Sequence, residues 1–493
     1  MSLLKNVFLI NDSNQVSKLL VSLLVSLIAI QIFKRLWEIF RLPSGPYGLP
    51  FIGYLPFIDD NQGEQYTRLG KKYGSPFSIH LGKYDFVIIN DWFHANEAMS
   101  REELLARPPE GILSSLLNKH GLVDLSGKAW KDQRRTALHL MRDIGMGKSG
   151  KPFNILDLLS ASISNNISIL NYGKRFEYDD EEKLELDRNI KNFVENTDLS
   201  GLAIAMPLVM KILRFFGNVK YNQLMQTGEK SERFDNIQIG KHQNKEHEHL
   251  FDYIDGFLAK MEERKKKGIP LESFTFPVLR SNISNLYTAG STTIHSTTSW
   301  MILFLVKYLH YQSRMRQEIF QIIGTRSPSY QDHYLMPFTW AFIHETLRYR
   351  TNVPINLPRF CTKDVYLGKH LIPRGTIVVI NFYAIDHDPT LWSDPQKFYP
   401  ERFLPGDQSK AVFPSHLTPF AAGKRKCIGE SLALVELFLY ITNLVQKYIL
   451  TAGEGSDRVF DERKNGIVSY PLHMPQIVIQ PVELENYDEL NEH

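Results

Sequence analysis

The stretch PFAAGKRKCIGESLALVELFLY, Pro419 to Tyr440, joins one of the chain's two cysteines to a basic, glycine-containing loop and the start of an apolar-periodic helix. Cys427 precedes the expected helix start at Gly429, where the partial positive charge of a helix N-terminus favours thiolate over thiol. A thiolate is the form that ligates a metal. Gly423 and Gly429 let backbone pass close to a flat, bulky object and let amides point at the sulfur. A cysteine buried in a turn is the competing reading, because a lone cysteine is usually a packing residue. A phosphate loop is excluded: the glycine spacing is not the Walker pattern, and no Gly-Lys-Ser/Thr follows.

Three further sets have spacing suited to chemistry. Glu345 and Arg348 in HETLRYR are three apart and share a helix face, which alone describes a surface ion pair of well under about 1 kcal/mol. Trp130 and Arg134 in WKDQRR stand one turn apart and, taken alone, are ordinary helix surface. In AGSTTIHSTTSW, Ala289 to Trp300, small residues in mid-helix either admit a ligand or form a helix–helix seam, and threonine hydroxyls can bond the previous turn's carbonyl. His242, His247 and His249 do not share a helical face, so a solvated helix is expected there rather than a metal site. No Gly-x-Gly-x-x-Gly follows a strand, so the chain lacks a nicotinamide or flavin domain of its own.

The elements that position these residues follow from periodicity. Helices are expected over Phe153–Asn171, Asp252–Lys267, Ser281–His310, Tyr311–Gly324, Phe338–Arg350 and Gly429–Tyr448. Phe77 to Asn90 alternates as a hairpin, and Val365 to Ile385 reads as strand with a turn at Pro373 and Gly375. The fold class is mainly α with a minor β part (α+β). With 493 residues, 43% hydrophobic, and 57 Lys and Arg against 54 Asp and Glu, the chain can bury a large core and is not disordered. An excess of three positive charges is too weak a field for nucleic acid to be the main partner. Cys361 and Cys427 allow at most one disulfide, which fits a reducing compartment.

Leu19 to Phe33 is uncharged, and apolar residues resume after Lys34 and Arg35. A signal peptide, a core helix and a membrane anchor compete for it. The missing small-residue cleavage site and the basic flank favour the anchor, with the body on the cytoplasmic side. Residues 1–41 are thus read as a lumenal stub and transmembrane anchor, 42–58 as a proline-rich hinge, and 59–493 as the catalytic body. Asn11 opens a glycosylation pattern on the lumenal side.

Phe420, Gly423, Arg425, Cys427 and Gly429 fit Phe-x-x-Gly-x-Arg-x-Cys-x-Gly, and by this the chain resembles the cytochrome P450 superfamily, in its microsomal animal group of steroid- and drug-metabolising members. The resemblance covers nearly the whole chain. It implies a single haem-thiolate fold in which Cys427 ligates the iron of haem b. It also implies that Arg402 joins Glu345 and Arg348 in a buried network, and that Trp130, Arg134, Arg359 and Arg425 hold the haem propionates. Thr293 matches the oxygen-activating threonine. Thr292 stands where the family has Asp or Glu, so protons would come through water, from His295, or from a substrate hydroxyl. The implied activity is insertion of one oxygen atom from O2 into a lipophile at the endoplasmic reticulum membrane. The electrons would come from NADPH through a partner reductase docked near Lys424, Lys426, Lys131 and Arg135, with cytochrome b5 a further candidate donor. The implied pocket segments, 112–122, 199–216, 286–293, 353–357 and 467–472, suit a steroid, fatty acid, terpenoid or foreign lipophile alike. A haem-thiolate isomerase or dehydratase and a non-enzymatic haem-binding anchor are the rival readings.

Overall fold

A computed structural model describes residues 13–49, 52–59, 61–109, 121–143, 157–196, 219–243, 252–453, 463–465, 467–472 and 477–482. Asn11, His247, His249 and the expected pocket segments 112–120 and 199–216 lie outside these residues. The helices are α1 (Ser13–Phe40), α2 (Gln62–Tyr73), α3 (Trp92–Ser100), α4 (Gly127–Asp143), α5 (Asp157–Tyr172), α6 (Glu181–Asn196) and α7 (Val219–Gln243). They continue with α8 (Tyr253–Lys266), α9 (Phe276–Lys307), α10 (Leu309–Ile323), α11 (Pro337–Tyr349), α12 (Phe382–Asp386) and α13 (Glu430–Lys447). The strands are short: β1 (Phe77–Leu81), β2 (Tyr84–Ile89), β3 (Arg359–Phe360), β4 (Val365–Leu367), β5 (His370–Ile372), β6 (Ile377–Ile380), β7 (Tyr448–Ala452), β8 (Arg463–Asn465), β9 (Ser469–Pro471) and β10 (Ile477–Pro481).

The spine is α9. Thr275 caps it by accepting from the Val278 amide, and a proline in the first turn removes a donor that would have no partner. The helix therefore begins at Phe276, earlier than the apolar period suggests, and stops at Lys307 rather than His310. Its first half, with Leu279, Ile283, Leu286 and Tyr287, packs in one core with α5, α7 and α8. The second half, from Ile294 through Val306, packs in another core with α10, α11 and α13 around Trp300, Phe304, Phe342 and Phe438. A helix apolar on nearly every side has to be buried, and α9 joins the two cores.

The main sheet has the order β1-β2-β6-β3, with β2 and β6 parallel and the other pairs antiparallel. The expected strand character past Ile380 is wrong. The Asn381 side chain accepts from the Ala384 amide and turns Phe382–Asp386 into a helix, overriding the alternation of NFYAI. α1 leaves Leu19, Leu23, Ile30 and Phe33 exposed. Among the described residues no helix is long and apolar enough to cross a membrane. The uncharged run Leu19–Phe33 reaches about 22 Å as helix, short of a hydrocarbon core of about 30 Å. The segment after α1 lies along the β1–β2 hairpin: Ser78 Oγ donates to the Pro43 carbonyl (2.6 Å) and the Gly82 amide to that of Ile52 (3.1 Å).

Candidate active site

The loop carrying Cys427 is shaped by α3. The Ala422 amide donates to Met99 Sδ (3.3 Å), and a Cβ on Gly423, whose φ is +71°, would lie 2.3 Å from the Met99 carbonyl oxygen. Glycine is thus required at 423 by the protein's own packing. Gly429 is under no such constraint, since its φ is −91°. The Cys427 amide donates to the Phe420 carbonyl (2.9 Å), which closes the loop, and Phe420 packs on the core around Phe438. The Cys427 side chain is open to water-sized contact yet crowded by protein at longer range. Burial therefore pushes its thiol up, with the Gly429 amide, Arg134 and Lys426 pulling the other way and Glu430 adding to the rise. Desolvation thus works against the pull of the helix N-terminus toward thiolate. A metal ion at the sulfur would reverse the balance.

Beside this loop lies a cluster of buried cations. Arg425 stacks on Trp130, its guanidinium 3.9 Å from the ring centre, and donates to the carbonyls of Leu105 (2.8 Å), Leu122 (3.5 Å) and Leu125 (2.5 Å). Arg107 donates to the carbonyls of Val123 (3.1 Å), Leu357 and Pro358 (both 2.9 Å). Arg359 is 2% exposed, and its Nε and Nη1 are buried without an acceptor. Burial pushes Arg425 down to about 8, Arg359 to about 9 and Arg107 to about 10, and their mutual repulsion contributes at Arg425 and Arg359. Asp124, the carboxyl set among them, is itself pushed up to about 7 by burial, against the pull of Arg107 and Arg425. An anionic group rich in acceptor oxygens is what this cluster lacks, so the residues present fit the carboxylates of a haem. Arg134 sits at the rim and donates to the Lys426 carbonyl. Arg107 and Asp124 escaped the sequence reading, because neither has a spacing that marks it.

On mid-α9 both readings of the small-residue stretch hold, on different faces. A Cβ on Gly290 would lie 2.4 Å from Ile167 Cδ1 of α5, which is a packing seam. Ala289 is exposed and Thr293 partly so, leaving that face open. Ile428 and Leu432, just after Cys427, pack on the same core as Leu279, Ile283 and Leu286 of α9. Thr293 Oγ1 donates to the Ala289 carbonyl (2.7 Å). Thr292 is 6% exposed, donates to the Thr288 carbonyl (2.7 Å) and has its own carbonyl taken by the Tyr470 hydroxyl (2.8 Å). Asn352 Nδ2 donates both to the Thr293 carbonyl and to Thr297 Oγ1 (2.9 Å each). His295 is held down to about 4 by burial, with Lys191 adding to the effect, so at neutral pH its imidazole is uncharged. Asn352 and Tyr470 were missed because their contacts join segments far apart in sequence.

Glu345, Arg348 and Arg402 lie together. Glu345 Oε1 accepts from Arg348 Nη2 (2.8 Å), Arg402 Nε (3.0 Å) and the Tyr399 amide (2.9 Å), and Oε2 accepts from Arg348 Nε (2.8 Å). Both Glu345 and Arg348 side chains are fully buried, and that of Arg402 is 8% exposed. Arg402 also donates to the Ser393 and Lys397 carbonyls (2.7 and 3.0 Å), tying that segment to α11. The expected solvated helix at His242 is corrected, since His242 is only 3% exposed. Its Nδ1 faces the Gln238 carbonyl (2.7 Å) and its Nε2 faces Asp252 Oδ2 (2.9 Å), so both ring nitrogens are engaged within the protein.

With this fold and this loop the chain belongs to the cytochrome P450 family, whose model matches residues 43–149 and 144–475. It is an oxidoreductase of the monooxygenase type that works with haem-thiolate iron, O2 and NADPH-derived electrons. It is similar to cytochrome P450 2D20 of Mesocricetus auratus, 31% identical over 94% of this chain and 97% of that protein. Cytochrome P450 2J2 of Homo sapiens is 32% identical over 82% of this chain and 85% of its own length. For cytochrome P450 2A8 of Mesocricetus auratus the values are 32%, 88% and 93%.

Proposed function

We propose that the chain is a membrane-anchored monooxygenase of the endoplasmic reticulum that inserts one oxygen atom from O2 into a small lipophile, with Cys427 as the iron's ligand. A separate NADPH-dependent reductase supplies the electrons. The observation that carries this reading is the buried guanidinium cluster of Arg107, Arg359 and Arg425 beside the Cys427 loop, which sets three cations against the single carboxyl of Asp124, itself pushed toward its neutral form, and leaves Arg359 Nε and Nη1 without an acceptor. Arg359 offers the donors that remain open, and Trp130 and Arg425 form the wall next to them. The haem, once bound, supplies the oxygen activation and the oxidising power. The protein's part is to hold it by Cys427 and the cluster, to keep water out with apolar walls, and to steer protons along the open face of α9 at Ala289 and Thr293. α1 is read as the anchor, its exposed Leu19, Leu23, Ile30 and Phe33 offering the apolar surface that a bilayer would cover.

The test is expression of the full chain with and without Cys427→Ser. A thiolate-type spectrum of the reduced carbon monoxide complex, lost in the variant, supports the ligand assignment. Substrate-dependent NADPH consumption with a reductase, coupled to an oxygenated product, supports the reaction. Product formed without NADPH or O2 would replace it by an isomerase or dehydratase.

A further inference from the structure

Where α1 ends, Arg41 enters the wall of a pocket of about 270 Å³. Lys83, Tyr84 and Asp85 form a second wall and Arg374 and Gly375 a third. The sheet topology explains why they meet. β2 and β6 run parallel, with Phe86 paired to Ile377, so the turns that lead into the two strands lie side by side at one sheet edge. Gly82 and Gly375, with φ of +55° and +89°, make those turns, and a Cβ on Gly375 would find nothing within 4 Å, so the space above it is open. Asp364 ties the third wall in place, accepting from Arg41 Nη2 (2.8 Å) through one oxygen and from the Arg374 amide (2.7 Å) through the other. Because Ser78 also binds the Pro43 and Ser44 carbonyls, Arg41 is held against the sheet rather than carried on a free linker.

The pocket lining brings three cationic side chains, Arg41, Lys83 and Arg374, against the carboxylate of Asp85, which is engaged by His80 Nδ1 (3.0 Å), and that of Asp364, which is bound to Arg41, so one positive charge is left in excess. Lys83 and Arg374 are exposed. Two guanidinium forks and an ammonium form a donor set suited to a phosphate ester. The volume lies below that of pockets that enclose a whole lipophile, so it suits a headgroup. Phe40 and Tyr47, on either side of Arg41, are 84% and 86% exposed, as expected of rings at the boundary between acyl chains and water.

We propose that this pocket holds the phosphate of an anionic phospholipid at the membrane face and so fixes how the body stands over the bilayer. The proposal rests on the reading of α1 as the anchor, because that reading sets Arg41 at headgroup height. The probe is dihexanoyl phosphatidylserine, added to the full haem-loaded chain in a neutral detergent and followed by native mass spectrometry against dihexanoyl phosphatidylcholine and inorganic phosphate. Both lipids carry the phosphate, but the choline headgroup brings a permanent cation and no carboxylate to a wall of cations, so retention of the serine lipid is expected to exceed that of the choline lipid at least fivefold. The double variant Arg41→Gln, Arg374→Gln should fall to the choline level and Lys83→Gln severalfold, while Lys265→Gln should not move. An unchanged reduced carbon monoxide spectrum certifies that each variant is folded. Equal retention of the two lipids, a preference that survives in the double variant, or displacement by an equal concentration of inorganic phosphate would each overturn the headgroup site. Alkaline extraction of the full chain from membranes, with the lipid preference intact, would instead refute the anchor reading.

Discussion

Replacing Glu345 by glutamine changes one atom and should cost about 3–5 kcal/mol of stability. The carboxylate takes four donors: three from the Arg348 and Arg402 guanidiniums and one from the Tyr399 amide. An amide keeps one acceptor oxygen and turns an NH2 toward groups that are themselves donors, so about two charge-assisted bonds are lost, each worth roughly 1.5–3 kcal/mol. Arg348 and Arg402 also keep their charges, and among the described residues no other carboxylate bonds to them, although both still donate to backbone carbonyls. The two routes to the magnitude agree. With a urea slope of about 3 kcal/mol/M, the unfolding midpoint should drop by about 1 to 1.7 M. Trp392, its ring centre 5.3 Å from the Arg348 guanidinium, offers a local fluorescence probe. Because Arg402 secures the segment 393–402 that leads to the Cys427 loop, the thiolate-type carbon monoxide spectrum should be lost at lower urea too. Lys230→Gln, in the exposed Lys230–Glu185 pair, is the control and should leave the midpoint in place. A Glu345→Gln midpoint equal to that control would refute the claim that this network holds compensated buried charge.

Cys427→Ser should abolish the thiolate-type spectrum and Cys361→Ala should keep it, since Cys361 is fully buried, directs its sulfur at the Lys363 carbonyl (2.9 Å) and has its thiol pushed up to about 11 by burial. Stability should fall as pH rises from about 6.5 to about 8, measured as the urea midpoint. Glu436, Asp235, Asp386 and Asp124 are pushed up to about 8, 8, 7 and 7 by burial, so the folded chain keeps protons that the unfolded chain has already released near pH 4. His295 and His344, held down to about 4, oppose this only below about pH 6.5. Glu436→Gln should flatten the slope, and an unchanged slope would exclude Glu436 as a contributor. Asn352→Leu, which removes the amide donor to the Thr293 carbonyl and Thr297 Oγ1, should lower product per NADPH severalfold at constant haem content; full coupling would remove Asn352 from the oxygen-activating face. Charge reversal at exposed Lys131 and Arg135 should slow first-electron transfer and weaken its salt dependence. Lys424 and Lys426, paired with Glu102 and Glu430, should matter less.

What the sequence made legible was local. The loop from Phe420 to Gly429 carries its chemistry within ten residues, and α9, α10, α11 and α13 announce themselves by period because each buries a wide apolar face. Errors occurred where a side chain overrode the pattern: Thr275 with the following Phe-Pro started α9 early, and Asn381 bent a strand pattern into α12. His242 looked solvated because its partner, Asp252, lies ten residues on, past the end of α7, where a helical wheel does not reach. Arg107 and Asp124 gain their meaning only from Arg425 and Arg359, some 300 and 250 residues away in the contacts that gather them, and no short-range spacing encodes that.

The two adjacent threonines show the limit most clearly. In sequence Thr292 and Thr293 are alike, and the first looks like the loss of an acid from the reactive face. A helix turns its side chains by about 100° per residue, and here that turn gives them different surroundings. Thr292 is buried, with its hydroxyl on the Thr288 carbonyl and its own carbonyl bound by Tyr470 of β9. Thr293 shares the open side with Ala289, and its carbonyl is held by Asn352. A carboxylate at 292 would have to displace that packing or be buried as an uncompensated charge, which costs several kcal/mol unless it is protonated. The substitution therefore takes no group from the open face that Ala289 and Thr293 share.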